Sequence, residues 1–289
     1  MIAIIIINYR KSDLTVRLCQ TLTRVRRAKS ELSVVIVDNG SDEGSRAVLE
    51  GAKATGLAIE TLSEQTNWGY LGGARCGLKA IERWEVAPDW VIVSNSDIEF
   101  DEPHFLENLE SLLDPEIGVV APSILSGISH KNQNPYMVVR PRAQRMHFLK
   151  WVFRFKVTCF LYQMAGLLKS LAKRQLESPV AEPMTETTPG PGGERRDPAR
   201  AIYAPHGSFM IFSRRYFERG GNLEHKPFLF GEEVTVAENC RRLGLKVWYE
   251  PSLVVSHADH GTMGWIPSDL MLRCQREASA FCADTYFPL

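Results

Sequence analysis

The stretch "IAIIIINYRKSDLTVRLCQTLTRV", Ile2 to Val25, decides the class of fold. Ile2 to Tyr9 is a continuous apolar run rich in β-branched residues. A strand wetted on one face alternates apolar and polar residues, so an unbroken run predicts a strand covered on both faces. The chain turns polar at Asn8, and Leu14, Leu18 and Leu22 then recur every four residues. That spacing predicts a helix running to Val25, capped by Ser12 or Asp13. No basic region precedes the apolar run, and it is too short for a signal-peptide core or a membrane span. It is a first buried strand.

The same alternation continues outward. "LSVVIVDNGS" (Leu32 to Ser41) reads as a second strand ending in a turn, "SRAVLEGAKAT" as a helix and "LAIETLS" as a short strand. "LGGARCGLKAIERW" opens as a glycine-rich helix, and "DWVIVSNSD" is the next strand. "PHFLENLESLL" starts a helix with proline in its first turn, and "IGVVAPSI" is a strand. Strands alternating with helices predict an α/β fold with a mostly parallel central sheet flanked by helices.

The pattern breaks after Ile128. Between Ile117 and Leu176 there is no Asp or Glu, while Lys and Arg recur among Phe148, Trp151, Phe155 and Phe160. A segment rich in Pro, Gly and Thr follows, "ESPVAEPMTETTPGPGGERRDPAR", and reads as a flexible loop. Order returns at "AIYAPHGSFMIFSRRYF", two apolar runs around His206-Gly207. Next come a helix headed by Glu232-Glu233 and ending near Gly244, the strand "KVWYEPSLVVSH", and a C-terminal amphipathic segment from Ser268 to about Asp284.

Lys+Arg and Asp+Glu balance at 34 each over 289 residues, so overall charge gives no reason to expect a nucleic-acid partner. The six cysteines show no metal-binding spacing and read as reduced, as in a cytoplasmic protein.

Ligands of an open parallel sheet bind beyond the carboxyl ends of its strands. Polar residues stand at those ends here: Asn8, Asp38-Asn39, Asn67, and Asn95 with Asp97. Asp38-Asn39-Gly40-Ser41 is equally good turn chemistry. Asp97, just past a buried strand, suits a hard divalent cation that is completed by substrate phosphates. Its bland alternative is capping of the helix near Pro103, which Asp101 can serve instead. Gly72 lies in a glycine cluster that fits either phosphate approach or tight helix packing. Glu232 and Glu233 are stabilised by a helix dipole, or one of them is a general base. His257 ends an apolar strand, with His260 three residues on, and is structural or faces a metal and diphosphate.

Taken in order, "IIIINYRKSDLTVRLCQTL", "VVIVDNGSDEGS", "TNWGYLGGARCGLKAI", "WVIVSNSDIEF" and the long stretch from "GSFMIFSRRYF" to "SHADHG" resemble the family-2 glycosyltransferases of GT-A fold. The likeness is greatest to the bacterial subgroup that transfers rhamnose and related sugars in polysaccharide assembly. The resemblance implies an inverting hexosyltransferase using a nucleotide-diphosphate sugar (dTDP-, UDP- or GDP-linked) and a glycan or lipid-linked acceptor. By the same resemblance, Asp38 contacts the base, and Asn8, Asn67 and Gly72 line the nucleotide pocket. Asn95 and Asp97 meet the diphosphate, Asp97 and His257 bind Mg²⁺ or Mn²⁺, and Glu233 is the base with Glu232 its rival. Asn95 departs from the family's two-carboxylate metal motif, and Glu233 replaces the more usual Asp.

Residues 1–128 would then form the nucleotide-sugar half and 129–178 a basic amphipathic helical insertion. Residues 179–200 would be a flexible loop, and 201–289 the acceptor and catalytic half. The insertion, over 140–175, would lie peripherally on the anionic inner face of a membrane, or pack on the core or on a second copy in a homodimer. Two other readings stand beside this one: a degenerate transferase acting as a scaffold or membrane-surface subunit, and a sugar nucleotidyltransferase. The latter should carry a glycine-rich phosphate loop where this chain has "NYRKSDLT".

Overall fold

β1 (Ile2–Asn8) pairs in parallel with β2 (Leu32–Asn39) on one side and β4 (Trp90–Asn95) on the other, and β2 pairs in parallel with β3 (Ala58–Glu64). This is a computed structural model, and it describes residues 1–26, 30–162, 164, 197–259 and 268–289. Three helices connect these strands: α1 (Ser12–Leu22), α2 (Glu43–Lys53) and α3 (Tyr70–Ile81). Every residue of β1 is buried, and the pleat explains the unbroken run. Ile2, Ile4 and Ile6 face Leu18, Leu22, Leu49 and Ala52 of α1 and α2. Ile5 and Ile7 face Leu71, Ala74 and Leu78 of α3. Each fully buried isoleucine contributes about 1.5–3 kcal/mol before chain entropy is counted. A Cβ at Gly77 would lie 2.5 Å from Ile5 Cγ2, so glycine is what lets α3 approach the sheet.

Beyond β4 the sheet becomes mixed. β8 (Phe209–Ser213) pairs antiparallel with β4, and β6 (Ile117–Ser126) antiparallel with β8. β9 (Lys246–His257) runs parallel to β6, and both β5 (Ile98–Glu99) and β7 (Arg200–Ile202) pair antiparallel with β9. The order is β3-β2-β1-β4-β8-β6-β9-β5, with β7 beside β9. The expected α/β class with helices flanking a central sheet is what the chain forms.

Some local expectations give way. Ser12 and Asp13 do not cap α1: the N-cap is Lys11, with no side-chain bond. Ser12 Oγ instead accepts from Asn8 Nδ2 at 3.2 Å. The helix near Pro103 is α4 (Phe105–Glu110), capped by His104 without a side-chain bond. Neither Asp97 nor Asp101 caps it, and Asp101 accepts from Ser256 Oγ.

The chain divides into two units. The first holds Met1–Arg140, Ala199–Phe228 and Glu232–Thr262, and so contains the whole sheet. The second holds Pro141–Pro198, Leu229–Gly231 and Met263–Leu289. In it α5 (Ala143–Val152) packs on the C-terminal helix Asp269–Tyr286, which Ser268 caps. Lys150 pairs with Asp284 at 2.6 Å and Lys156 with Asp269 at 2.5 Å. Phe148, Trp151, Phe155 and Phe160 are exposed. Most of the expected loop (179–196 of 179–200), the basic segment beyond 164, and His260 lie outside the described residues.

Candidate active site

Strand register sets up the first part of the site. Asn8 of β1 stands beside Asp38 of β2, and Ile7 beside Asn95 of β4. Asn8 and Asp38 are completely buried. Asn8 Nδ2 donates to Asp38 Oδ1 at 3.1 Å, and Asn8 Oδ1 accepts from Thr15 Oγ1 at 3.0 Å. The other Asp38 oxygen is held by Arg46 Nε at 3.0 Å, and Arg46 Nη2 also donates to the Glu64 carbonyl. A buried carboxylate needs such partners to offset the loss of its hydration. Asp38 and Asn8 thus form a floor, with Arg46 over Asp38 on the side toward solvent.

Asn39, buried to 1 %, clamps the next loop. Its Nδ2 donates to Asn67 Oδ1 at 3.0 Å and to the Gly69 carbonyl at 2.9 Å, and its Oδ1 accepts from Trp68 N. Asn67 Oδ1 also accepts from Gly69 N. Gly72 follows in the first turn of α3. A Cβ there would sit 2.8 Å from Trp68 Cβ, so packing accounts for this glycine without a ligand.

The second part gathers at the end of β4. Asn95 is half-buried, and its side chain makes no hydrogen bond among the described residues. Asp97 Oδ1 lies 3.2 Å from His257 Nε2, and Ala258 N donates to the Asp97 carbonyl. His257 Nδ1 faces Gln133 Oε1 and Asp259 Oδ1, each at 2.9 Å. Gln133 Nε2 and Ser126 Oγ both donate to Asp259. Burial works against protonation of His257, but the hydrogen bond and charge of Asp97, joined by Asp259, hold its pKa above the ordinary value. Asp259 is lowered: burial opposes this, and the Ser126 and Gln133 hydrogen bonds with the His257 charge overcome it.

The third part comes from helix Glu232–Arg242. Glu232 is buried and Glu233 half-buried. A Cβ at Gly207 would meet Glu233 Oε1 at 2.7 Å, and Gly207 N donates to the same carboxylate. Desolvation raises the Glu233 pKa, and these backbone bonds only partly offset it. His206 is held beside it. Ser208 N donates to His206 Nδ1 at 3.3 Å, so the ring's proton sits on Nε2. Burial, then the neighbouring His257, pushes the His206 pKa down to about 4. His206 is therefore a neutral N–H donor near pH 7.

One residue ties the parts together. The buried Tyr70, whose hydroxyl donates to the Val93 carbonyl, has its pKa raised by burial and then by the charges of Glu232, Glu233 and Asp97. Contacts link the same groups: Asp97 meets His257, the His257 ring lies 6.1 Å from that of His206, and the adjacent Gly207 packs on Glu233. The sequence reading assigned no role to Asp259, Gln133, Arg46, Asn134, Tyr136 or His206. For His206 a signal existed: a His-Gly pair at the head of an apolar strand.

Among the described residues no group of three or more His, Cys, Asp or Glu side chains is arranged to hold a metal. Asp97 and His257 do fit as a two-residue anchor. Nδ1 of His257 is committed to Gln133 and Asp259, while Nε2 faces Asp97 Oδ1 at 3.2 Å, so a cation bound there would take the place of the proton shared between that nitrogen and the carboxylate. Mg²⁺ and Mn²⁺ sites are commonly completed by substrate phosphates.

No curated protein matches the sequence. Among solved structures, the mannosyltransferase PcManGT from Pyrobaculum calidifontis, in complex with GDP-Man and Mn²⁺, aligns over 100% of this chain and 76% of its own, with TM-score 0.53 and 15% identity. S. aureus TarS 1-349 with UDP-GlcNAc aligns over 92% of this chain and 60% of its own (TM-score 0.56, 12% identity). GalNAc-T7 with UDP, GalNAc and Mn²⁺ aligns over 97% and 47% (TM-score 0.57, 12% identity). The chain thus spans less than two thirds of the latter two. At these identities the likeness is one of fold. The model of "Glycosyl transferase family 2" matches residues 3–172, more than half of the sequence, and the chain belongs to that family.

Proposed function

We propose that this chain is an inverting glycosyltransferase. It moves a hexose, rhamnose or a related sugar, from a nucleoside-diphosphate donor to an acceptor hydroxyl in polysaccharide or glycolipid assembly. The observation that carries the reading is the run of contacts from Asp97 through His257 and His206 to Gly207, on which the Glu233 carboxylate packs. Neighbours of the same fold were solved with GDP-Man, UDP-GlcNAc or UDP, which favours a nucleotide-sugar donor.

In this reading the nucleoside lies over the ends of β1 to β3, above the floor of Asn8 and Asp38 and beside Asn67. The diphosphate lies by Asn95, Asp97 and His257. Glu233 takes the proton from the acceptor hydroxyl. The acceptor oxygen bonds to the anomeric carbon on the face opposite the leaving group, while the bond to the diphosphate oxygen breaks, so configuration inverts. The raised Glu233 pKa makes this carboxylate a stronger base than an exposed one. Asp97 and His257 would hold a divalent cation, which when bound offsets charge on the departing diphosphate. Glu232, being buried, serves in the packing of the helix head.

The exposed aromatics of the second unit, with Arg142, Arg145 and Arg154, favour contact with an anionic membrane surface. No described helix is long and apolar enough to cross a membrane.

Transfer and donor hydrolysis assayed across dTDP-, UDP- and GDP-sugars test the reading, with product configuration read by NMR. Turnover of at least one donor is expected, abolished by EDTA and restored by Mn²⁺. Nucleotide binding without turnover of any donor would favour the scaffold reading instead. Indifference to EDTA would remove the metal role of Asp97 and His257.

A further inference from the structure

Tyr136 is 44% exposed, yet its backbone is tightly fixed. Asn134, buried to 2%, accepts from Tyr136 N at 3.2 Å and from His206 N at 2.9 Å through the same Oδ1. Its Nδ2 donates to the Pro122 carbonyl at 2.9 Å. One buried amide therefore joins two loops that are far apart in sequence. The rings it brings together meet edge to face, with centroids 5.4 Å apart and planes at 88°. The next residue after His206 is Gly207, whose missing side chain is what admits the Glu233 carboxylate. Glu233 is also the largest electrostatic influence on the Tyr136 phenol, ahead of burial and Glu232.

Single exposed aromatics need no explanation. This one differs because its position is set by a buried amide whose oxygen and nitrogen are both hydrogen-bonded, beside a carboxylate and a histidine Nε2–H with no partner among the described residues. A flat ring, a directed N–H donor and a carboxylate acceptor together match a pyranose. The C–H face of a sugar is apolar and weakly positive, and so complements the negative face of an aromatic ring. Its hydroxyls reach the polar groups at the rim. We propose that Tyr136 and His206 form the subsite for the acceptor, and that the acceptor residue is a pyranose stacked on Tyr136 with one hydroxyl directed at Glu233. Asn134 is the positioning residue of this subsite. The proposal rests on the reading of Glu233 as base and names the class of molecule it deprotonates.

The test uses the full chain and two probes. Calorimetry with UDP, GDP and dTDP in the presence of Mn²⁺ first establishes nucleotide binding. Saturation-transfer NMR with a panel of methyl pyranosides then follows, in the presence of the nucleotide that binds. Wild type is expected to saturate the ring protons of at least one pyranoside, mainly on one face. Tyr136→Ala should lower that signal by roughly fivefold or more, the scale of one ring contact. Tyr136→Phe should keep it, while nucleotide affinity stays near wild type in both variants and so reports an intact fold. Asn134→Ala, which removes the acceptor shared by the two loops, should lower the pyranoside signal while nucleotide affinity stays near wild type. An equal signal in wild type and Tyr136→Ala, or none in wild type, overturns the subsite alone if a nucleotide binds. Loss in Tyr136→Phe equal to that in Tyr136→Ala overturns the stacking. Failure of every nucleotide to bind removes the transferase reading and the subsite with it.

Discussion

Two rims of one sheet edge behave differently. At the ends of β1 and β2, Asn8, Asp38 and Asn39 are at most 1% exposed, and their polar atoms are bonded to one another and to adjacent loops. At the end of β4 and the head of helix Glu232–Arg242, Asn95, Asp97, Glu233, His206 and His257 are half-buried. There Glu233 and His257 are raised and His206 lowered. Satisfied buried networks rigidify a structure, whereas shifted pKa values mark groups whose charge state is held ready to change. In the proposed reading the first rim holds shape and the second does chemistry. Substitutions should therefore separate into effects on stability and effects on rate.

The largest expected effect is on the second rim. Glu233→Gln keeps an oxygen for the Gly207 N–H but cannot take a proton. Transfer should fall by roughly 10²–10⁴-fold, the range for a lost general base, with nucleotide affinity retained. Because the fold disfavours the charged carboxylate, the Gln variant should be at least as stable as wild type in urea. Near wild-type turnover would remove Glu233 as base, and a large drop in stability would erase the contrast between the rims.

The first rim answers in the other currency, stability. Asn39→Ala leaves Trp68 N and the Gly69 carbonyl without their side-chain partners. The expected cost is about 1–3 kcal/mol, the penalty for a buried polar group left unpaired. It should be read as a lower urea midpoint at unchanged slope. Transfer per folded molecule should change far less than in Glu233→Gln. If it falls as far, the first rim is doing more than holding shape.

The two rims also differ in how far the sequence discloses them. The runs at Ile2–Ile7, Val34–Val37 and Trp90–Val93 became central strands, because a strand covered on both faces must be apolar throughout. Their polar ends followed directly. The insertion of β8 between β4 and β6 was not legible, since strand order is set by packing between distant segments. The two-residue β5 is too short to show a period. Ser12 has the chemistry of a cap but was captured by Asn8, a contact no local rule exposes. At the second rim Asp97, Glu233 and His257 stood out as carboxylates and a histidine at element ends. Asn134 and Tyr136 did not, because they lie in an aperiodic segment whose partner, His206, is 72 residues further on.

The smallest effect, and the sharpest test of the contrast, is in pH. Desolvation holds the folded pKa of Glu233 above its ordinary value of 4.5. Two consequences follow, with opposite signs. The fold favours protonated Glu233, so the charged form is a stability penalty. That penalty is absent below the ordinary value, grows as pH rises toward the folded pKa, and is constant above it. With Glu233 as the proposed base, transfer needs the charged form, so its rate should rise as pH passes through the folded pKa. The acid limb of kcat should therefore lie at higher pH than an exposed glutamate would give, over a range in which this residue's contribution to stability falls. The pH dependence of unfolding in Glu233→Gln should differ from wild type over that same interval and nowhere above it. An acid limb at the ordinary glutamate value would mean that solvent reaches the carboxylate freely. The second rim would then be no more specialised for proton transfer than an open surface.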